Sequence, residues 1–473
     1  MLAEVDATEG AVHERYDVEL AVVGSGGAAM AAGIAARKSG ATVVLIERAA
    51  VGGTCVNVGC VPSKTLLAAA GARHAALHNP FPGAPTSAGA ADLASLVGQK
   101  DELVGRLRHA KYEKVADAYG FQIRHGQARF CDDATLDVDG TPVRARAYVV
   151  ATGAEAHRPN VAGLEQVEYL TSTTAMELRV LPESLIVIGA GYVGLEQAQL
   201  FAHLGTRVTL VGRLAPHAEP ELAAVLRQVF DDDGITVIEE RAATAESTAD
   251  GVAVATTSGR RVTAQQLLLA TGRRARTEGL GLDAAGVKTD EVGFVVVDEH
   301  QRTSNPRVYA AGDVAGVPQY VYVAAATGRV AATNALADDD TAPINVDYAG
   351  MPAVVFTRPQ LASAGLTEAA ALARGYDCEC RVLDLADVPR ALANRDIRGA
   401  VKLVADASSG KVLGVHAAAE GAGDVMLAAT YAIKAGMTVD DIAETWAPYL
   451  TMAESLRQVA QLFRNELPTS CCA

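Results

Sequence analysis

The fold class is decided by the stretch Val18-Glu19-Leu20-Ala21-Val22-Val23-Gly24-Ser25-Gly26-Gly27-Ala28-Ala29, in which a short apolar strand enters a glycine-rich turn. An alanine-rich helix is predicted after this turn, to about Ser39, and a second strand runs from Thr42 to Ile46 and ends at Glu47. Both strands are continuous apolar runs, which is typical of a parallel sheet covered on both faces. The stretch therefore predicts a strand–turn–helix–strand unit.

The glycine turn has the spacing of a dinucleotide-binding turn. Gly24 permits the tight bend, Gly26 lets the backbone approach a pyrophosphate, and Ala29 is small enough for close helix–strand packing. The N–H groups of the helix start, from Gly27 onward, would hold the phosphates. Glu47, 21 residues after Gly26, suits a ribose hydroxyl pair. The unit therefore predicts a dinucleotide site.

The same pattern returns about 165 residues later. A strand from Leu185 to Ile188 leads into the turn Gly189-Ala190-Gly191-Tyr192-Val193-Gly194, and a helix and the strand from Arg207 to Val211 follow. The next residues contain no carboxylate, but Arg213 is present, and a guanidinium there can accommodate the 2′-phosphate of NADPH. We therefore expect NADPH rather than NADH, and the alternative is that Arg213 is only a solvated surface residue.

Length, charge and cysteine usage limit the function classes. A chain of 473 residues predicts two or three domains, and a net charge of −15 disfavours nucleic acid and anionic membranes as partners. No apolar run is long enough for a transmembrane helix, and residues 1–15 lack the features of a secretory signal. Seven cysteines without an export signal favour a reducing, cytoplasmic location, where cysteines serve catalysis or metal binding.

A second informative segment is Gly52-Gly53-Thr54-Cys55-Val56-Asn57-Val58-Gly59-Cys60-Val61-Pro62-Ser63-Lys64. Its two cysteines are five residues apart and lie on either side of a predicted helix start. A helix N-terminus favours thiolate over thiol, so at least one sulfur would be activated. A buried structural pair is the alternative, and the flanking glycines and the preceding dinucleotide unit argue against it.

This segment resembles the redox-active disulfide of the FAD-dependent pyridine nucleotide–disulfide oxidoreductases, and the resemblance covers nearly the whole chain. The turns Ala151-Thr152-Gly153 and Ala270-Thr271-Gly272 resemble the domain-crossing turns of that family. Thr303 to Asp313 resembles its second FAD motif, and Val355 to Pro359 the opening of its dimerisation domain. The implied fold is α/β, with two Rossmann-like dinucleotide-binding domains, for FAD and NADPH, and a C-terminal α+β dimerisation domain.

The resemblance also implies domain boundaries and a homodimer whose active sites are shared between subunits. The expected parts are a flexible lead (1–15), a discontinuous FAD-binding domain (16–155 and 277–343), an NADPH-binding domain (156–276), a dimerisation domain (344–465) and a flexible tail (466–473).

Individual residues acquire roles from the same resemblance. Cys55 is implied to be the interchange thiol and Cys60 the thiol beside the flavin, while Lys64 and Glu196 form an ion pair near the reactive flavin nitrogen. Tyr192 is implied to cover the flavin until NADPH displaces it. The residues expected to bind FAD are Gly24, Gly26, Gly27, Ala29, Glu47, Gly53, Thr54, Lys64, Thr152, Gly153 and Asp313. The residues expected to bind NADPH are Gly189, Gly191, Tyr192, Gly194, Arg213 and Gly272.

The chain departs from the disulfide reductases of this family near its end. Tyr449 stands where those enzymes carry a histidine as general acid–base, and a phenol with a pKa of about 10 is a poor base at neutral pH. Cys471 and Cys472 form a vicinal pair, and thiolates select soft metal ions such as Hg(II). Together these features resemble the mercuric reductases, in a form without an N-terminal heavy-metal-binding module.

The expected activity is therefore reduction of Hg(II) to Hg(0) with NADPH, a detoxification reaction. Cys471 and Cys472 would capture the ion and pass it to Cys55 and Cys60, with Tyr449 assisting. Three alternatives remain open: a reductase of the dihydrolipoamide or glutathione type, a thiol protein that sequesters mercury without turnover, and a flavoprotein that produces peroxide. The remaining cysteines, Cys131, Cys378 and Cys380, have no second ligand pair nearby, and we assign them no metal.

Overall fold

The structure is a computed structural model that describes residues 16–338 and 340–464. The chain forms two compact units. The first comprises Met1–Asn57, Gly105–Glu155 and Arg274–Val346, and the second comprises Val58–Val104, Ala156–Arg273 and Asp347–Ala473. Val58–Val104, which the resemblance places in the FAD-binding domain, groups with the second unit. The two units are defined by how compactly the chain packs, whereas the predicted domains are defined by the cofactor that each binds. The predicted domain boundaries therefore stay predictions.

A parallel sheet forms the centre of the first unit. Its strands follow the order Gln122–His125, Val43–Glu47, Val18–Val23, Thr141–Val150 and Val308–Ala310. Thr141–Val150 also continues into an antiparallel meander with Thr135–Val138 and Ala128–Phe130. Leu20 and Val22 lie in one hydrophobic cluster, and Ala21 and Val23 lie in another. The covered two-faced sheet predicted from the continuous apolar run is confirmed.

Two helices of the first unit pack closely on each other. Gly27–Lys38 follows the first glycine turn, and Val321–Leu336 lies against it. A Cβ at Gly328 would lie only 2.1 Å from the carbonyl oxygen of Ala28, so glycine is needed for this approach. The shorter helical segments of this unit are Gly53–Asn57, His109–Glu113, Lys114–Tyr119 and Gly312–Ala315.

The second unit contains another parallel sheet with corresponding connections. Its strands follow the order Thr236–Ile238, Arg207–Val211, Ser184–Ile188, Gln266–Leu269 and Leu170–Thr171. The helices are Ser172–Ala175, Tyr192–Leu204 and Pro220–Asp232, and an antiparallel sheet is formed by Ala242–Thr248, Gly251–Thr256 and Arg261–Ala264. Two parallel sheets, each with a glycine turn after a central strand, confirm the predicted pair of Rossmann-like folds.

An antiparallel sheet and several helices complete the second unit. The strands follow the order Pro352–Val355, Gln360–Gly365, Val412–Ala419, Ala400–Asp406 and Cys378–Asp384. The helices are Glu368–Ala373, Pro389–Asn394, Ala422–Ala435, Val439–Glu444 and Glu454–Gln461. Helix Ala422–Ala435 buries its apolar face on this sheet. This is the α+β arrangement expected near the C-terminus.

Helix Cys60–Leu77 is the longest helix of the second unit and packs against Tyr192–Leu204. Leu66 and Ala70 of the first helix share a hydrophobic cluster with Phe201 of the second. A helix also spans Leu93–Arg108. No helix in the described part of the chain is long and apolar enough to cross a membrane.

A buried ion cluster joins the antiparallel sheet to the nucleotide-binding part of the same unit. Lys402 is 1% exposed, and its ammonium lies 3.0 Å from Glu219, 2.9 Å from Glu221 and 2.7 Å from Glu368. Glu219 is itself 3% exposed, whereas the other two carboxylates are accessible to water. A buried charge pair tolerates the loss of one partner poorly, so Lys402 holds the start of helix Pro220–Asp232 against the sheet.

Candidate cofactor and redox site

The first glycine turn connects strand Val18–Val23 to helix Gly27–Lys38. Gly24 has a φ of 118°, and a Cβ there would lie 2.4 Å from the carbonyl oxygen of Ala151, so no other residue fits. Gly26 is the N-cap of the helix, and no side chain caps it. The first backbone N–H groups of the helix are therefore left for oxygen atoms of a ligand, which fits a pyrophosphate.

The redox segment lies directly on this turn. Gly53 has a φ of 64°, and a Cβ there would lie 2.6 Å from the Cα of Gly26. Ala29 is fully buried, and a Cβ at Gly27 would lie 3.1 Å from a methyl group of Val321. Gly53 and Gly27 are small because a neighbouring backbone or side chain approaches closely, and Ala29 occupies a fully buried position.

Glu47 is held beside the glycine turn by a residue that the sequence had not singled out. One carboxylate oxygen of Glu47 accepts a hydrogen bond from the Ser25 hydroxyl at 2.5 Å, and the other accepts from the Ala49 N–H at 2.8 Å. The Ser25 hydroxyl in turn accepts from the Gly52 N–H at 3.1 Å. These hydrogen bonds orient the carboxylate that is expected to bind ribose. The sequence feature that could have indicated this role is the hydroxyl of Ser25, which lies between Gly24 and Gly26.

Cys55 and Thr54 lie in the short helix Gly53–Asn57, and both are half-buried. Asn57 ties this helix to the residues before it: its side-chain N–H groups donate to the carbonyl oxygens of Val51 and Gly53 at 2.9 Å each. Its side-chain oxygen accepts from Nε of Arg108 at 2.8 Å. The amide of Asn57 therefore positions the backbone around Cys55, a role that its neutral side chain did not reveal in the sequence.

Cys60 is the first residue of helix Cys60–Leu77, so the helix start predicted between the two cysteines is confirmed. The side chain is exposed, and the N-cap residue Gly59 provides no capping hydrogen bond. The helix dipole favours a negative charge at this position. The site is suited to a thiolate.

Lys64 and Glu196 form the expected ion pair. The Lys64 ammonium lies 2.8 Å from one oxygen of the carboxylate and 3.0 Å from the other. Glu196 also accepts a hydrogen bond from the Phe356 N–H at 2.9 Å, and the ammonium lies 4.6 Å from the centre of the Phe356 ring. The side chain of Glu196 is 9% exposed and that of Lys64 is 34% exposed, so the cation can still face a ligand.

The second glycine turn combines two crowded positions with one open position. Gly189 has a φ of 105°, and a Cβ there would lie 2.3 Å from the carbonyl oxygen of Ala270. A Cβ at Gly194 would lie 1.7 Å from the carbonyl oxygen of Gly189. A Cβ at Gly191 would meet no atom within 4 Å. Two of the glycines are therefore required by packing, and the third leaves space at the start of helix Tyr192–Leu204 for a phosphate.

Tyr192 is the first residue of helix Tyr192–Leu204 and is half-buried. Its ring lies edge-on to His217, with 6.3 Å between the ring centres and 86° between the planes. The same ring lines a small cavity together with His217, Glu219 and His416. The Tyr192 ring therefore has a defined position at the nucleotide turn, and rotation of the Tyr192 side chain alone would move the ring out of it.

Arg213 follows strand Arg207–Val211 and is exposed. A carboxylate occurs nearby in the fold, although none follows the strand directly: Glu239 accepts a hydrogen bond from the Leu214 N–H at 3.2 Å and forms an ion pair with Arg227. Glu239 is itself exposed, so a carboxylate as well as the guanidinium of Arg213 is accessible at this strand end.

The remaining FAD and NADPH positions lie in short turns. The hydroxyl of Thr152 donates to the Arg276 carbonyl oxygen at 2.7 Å, and Gly153 and Gly272 have φ values of 74° and 104°. Asp313 lies half-buried in the 3-10 segment Gly312–Ala315. The positive φ values explain the glycine in each crossing turn.

The residues expected to handle mercury near the C-terminus are only partly described. The side chain of Tyr449 is 50% exposed, and nearby Trp446 is 97% exposed. Cys471 and Cys472 lie outside the described residues. Among the other cysteines, burial raises the pKa of Cys380 to about 12, which keeps that thiol protonated.

Comparison with known proteins gives two family matches. Residues 18–328 match the pyridine nucleotide-disulphide oxidoreductase family, and residues 351–460 match the dimerisation domain of that family, which indicates a homodimer. The chain is 54% identical to a mercuric reductase of Streptomyces lividans, over 98% of this chain and 99% of that protein. It is 46% identical to a mercuric reductase of Lysinibacillus sphaericus, over 97% of this chain and 85% of that protein.

Solved structures give the same fold at lower identity. The Cu(II) complex of the HOCl-induced flavoprotein disulfide reductase RclA from Escherichia coli superposes with a TM-score of 0.84 at 26% identity, covering 94% of this chain and 100% of that one. LpdA from Mycobacterium tuberculosis superposes with a TM-score of 0.82 at 28% identity and the same coverage. Because the family match covers most of the sequence, the chain belongs to the pyridine nucleotide-disulphide oxidoreductase family.

Proposed function

We propose that this protein reduces Hg(II) to elemental mercury with NADPH, as an FAD-dependent enzyme of mercury detoxification. The observation that carries the proposal is the match to proteins named mercuric reductase over nearly the whole chain, at 54% identity in one case. The seven cysteines, whose number and spacing favour a reducing compartment, support a cytoplasmic location, where NADPH is supplied.

The two nucleotide turns have the shapes that the cofactors need. For FAD, the helix start after Gly26 would hold the pyrophosphate, Glu47 would bind ribose, and Asp313 would bind the ribityl chain. For NADPH, the open position at Gly191 would receive the pyrophosphate and Arg213 the 2′-phosphate. When bound, these two groups supply the electron pair that the dithiol and the mercuric ion consume.

Cys55 and Cys60 act on the metal as thiolates. Soft thiolates bind soft Hg(II) strongly, and the position of Cys60 at a helix start favours its ionised form. Each turnover oxidises one NADPH to NADP⁺ and a proton and adds two electrons to one Hg(II). The neutral atom has little affinity for thiolates and leaves. Asn57 supports the backbone around Cys55 during this exchange.

Lys64 and Tyr192 prepare the site rather than hold the metal. The ammonium of Lys64 is held by Glu196 yet is one-third exposed, so it would present a positive charge to the flavin and tune its reduction potential. Tyr192 would cover the flavin and would move aside when NADPH binds. Its half-buried place at the start of the nucleotide-binding helix supports this gating role.

Delivery of the metal is proposed to use sulfur ligands and Tyr449 instead of a histidine. Cys471 and Cys472 of one subunit capture Hg(II). They then transfer the ion by ligand exchange to Cys55 and Cys60 of the other subunit in the dimer. This exchange between thiolates needs no proton shuttle, and the exposed phenol of Tyr449 can assist the ion on its path.

The test uses the purified, FAD-loaded protein with HgCl2, excess 2-mercaptoethanol and NADPH. We expect one mercury atom in the vapour trap for each NADPH oxidised. Rapid NADPH oxidation with lipoamide or oxidised glutathione, without mercury release, would instead identify a disulfide reductase. Mercury binding without NADPH oxidation would identify a sequestering protein, and NADPH oxidation independent of Hg(II) with peroxide formation would identify an oxidase.

A further inference from the structure

Two histidines and an aspartate of the second unit converge at the ends of three helices. Nε2 of His203 lies 2.9 Å from one carboxylate oxygen of Asp233, and Nε2 of His74 lies 3.6 Å from the other. The imidazole rings of His74 and His203 are stacked, with 3.8 Å between their centres. One potential ligand atom from each of the three residues lies within 4.8 Å of the others.

The cluster is buried but open on one side. The side chains of His203 and Asp233 are 4% and 3% exposed, and that of His74 is 15% exposed, which leaves an approach past its ring. The side-chain N–H of Gln199 donates to Asp233 at 2.8 Å, and the Gln199 oxygen accepts from the Arg358 N–H at 2.7 Å. The carboxylate is therefore oriented by a second hydrogen-bonding layer, as is usual for metal ligands.

The protonation states also suit metal binding. Burial and, to a smaller extent, the neighbouring His203 together lower the pKa of His74 to about 4, so the His74 ring is neutral at pH 7. Burial raises the pKa of the Asp233 carboxyl, but the hydrogen bonds from His203 and Gln199, together with the positive charge that His203 and His74 can carry, outweigh burial and keep that pKa below its usual value. A neutral imidazole and an ionised carboxylate are the forms that bind metals.

We propose that His74, His203 and Asp233 form a binding site for a divalent transition-metal ion of borderline softness, such as Zn²⁺, which is distinct from the mercury-handling cysteines. Two imidazoles and one carboxylate are a ligand set typical of zinc, whereas Hg(II) prefers thiolates. With Zn–N distances of about 2.0–2.1 Å, ligand atoms in a tetrahedral site lie roughly 3.3 Å apart. The three atoms, which lie within 4.8 Å of one another, would move to that separation as the ion binds, and water would complete the coordination.

The position of the site implies that a bound ion would stabilise the packing of two helices. His74 belongs to helix Cys60–Leu77, which also carries Lys64, and His203 belongs to helix Tyr192–Leu204, which also carries Glu196. A bound ion would cross-link these two helices near their C-terminal ends. The metal would therefore stabilise the pair of helices on which the Lys64–Glu196 ion pair is built.

The experiment uses FAD-loaded protein whose accessible cysteines have been blocked with iodoacetamide, so that thiolates do not bind the probe metal. The protein is equilibrated with Zn²⁺ by dialysis, and bound zinc and melting temperature are measured. We expect one zinc per chain, a higher melting temperature with zinc, and affinity at least ~10-fold weaker in His74→Ala and Asp233→Asn. Flavin content reports whether each variant is folded.

His109→Ala is the matched control, because His109 forms a comparable pair with Glu113 at 2.9 Å on the exposed surface. This variant should retain zinc like the parent. If Asp233→Asn does not fold, zinc binding is compared in two variants of the partly accessible His74, namely His74→Ala and His74→Gln. The proposal is overturned if the alkylated parent retains no zinc, or if folded His74→Ala and His74→Gln retain as much zinc as His109→Ala.

Discussion

Lys64 and Glu196 are 132 residues apart in the sequence, yet their side chains meet with 2.8 Å between the ammonium nitrogen and the nearer carboxylate oxygen. Lys64 lies one turn after Cys60 in its helix, and Glu196 lies in the helix that follows the second glycine turn. The pair therefore links the helix that begins with a redox cysteine to the helix that begins at the nucleotide turn. Any loss of this link should affect both stability and turnover.

Lys64→Met should reduce Hg(II)-dependent NADPH oxidation roughly tenfold and lower the free energy of unfolding by about 1–3 kcal/mol. The reason is that Glu196, which is 9% exposed, would keep only the hydrogen bond from the Phe356 N–H. Steady-state rates and urea denaturation measure the two effects. Lys434→Met is the control, because its ion pair with Asp347 is exposed and such pairs contribute about 0–1 kcal/mol. Equal losses in both variants would contradict the assigned role.

Cys55→Ser and Cys60→Ser should each lower the release of mercury vapour by at least ~100-fold while leaving flavin content unchanged. A serine hydroxyl is nearly isosteric with the thiol but is a hard ligand that binds Hg(II) poorly. Cys131→Ser, which changes another exposed cysteine, should keep the parent rate. Substantial mercury release by both active-site variants would show that the reduction proceeds without this pair.

Gly191→Ala should weaken NADPH binding, whereas Gly194→Ala should destabilise the fold. A Cβ at position 191 meets no protein atom, so this variant should fold normally but show a KM for NADPH raised about tenfold, as the methyl group occupies phosphate space. A Cβ at position 194 would lie 1.7 Å from the Gly189 carbonyl oxygen, so this variant should lose about 2 kcal/mol of stability or more. Thermal denaturation and NADPH titrations separate the outcomes. An unchanged KM in a well-folded Gly191→Ala variant would argue against phosphate binding there.

Arg213→Glu should raise the KM for NADPH about tenfold or more and improve the relative use of NADH, because a carboxylate repels the 2′-phosphate and accepts a ribose hydroxyl. The kcat/KM ratio for the two nucleotides is the measurement. Arg207→Glu is matched to it, since Arg207 is also exposed but begins the strand that Arg213 follows. If both variants alter the ratio equally, the effect is one of general surface charge.

Stability should decline below about pH 6.5 because of His416. The ring is 2% exposed, its Nε2–H donates to the Leu366 carbonyl oxygen at 2.9 Å, and burial lowers its pKa below the usual value. Glu219 and Lys402, both nearby, act on this pKa in opposite directions. Since the unfolded chain binds a proton near pH 6.5 and the folded chain does not, this stabilising contribution is complete above that pH and is lost as the pH falls.

The measurement for His416 is urea denaturation at pH 7.5, 6.5 and 5.5. The parent should lose stability relative to His416→Gln by up to ~1.4 kcal/mol per pH unit below 6.5, because glutamine does not titrate. Parallel pH profiles for the two proteins would mean that the proton is accommodated in the folded state.

The sequence by itself determined the local units of this protein. Strand Val18–Val23 has its predicted bounds, and the glycine positions of both turns could be assigned because a tight bend and a close backbone approach are local requirements. The helix start at Cys60 was likewise visible from neighbouring residues. The resemblance to a known family added the expected pairing of Lys64 with Glu196, which no local pattern contains.

Only the tertiary structure decided which distant side chains meet and how each is held. The Ser25 hydroxyl orients Glu47 by a hydrogen bond, and the Lys402 ammonium forms ion pairs with three carboxylates. His74 lies close to His203 and Asp233 at the ends of three helices. These contacts join residues that are 22 to 183 positions apart. Periodicity and turn chemistry act over a few residues, whereas such contacts depend on the order of strands and the packing of helices, which place the side chains together only when the whole unit is folded.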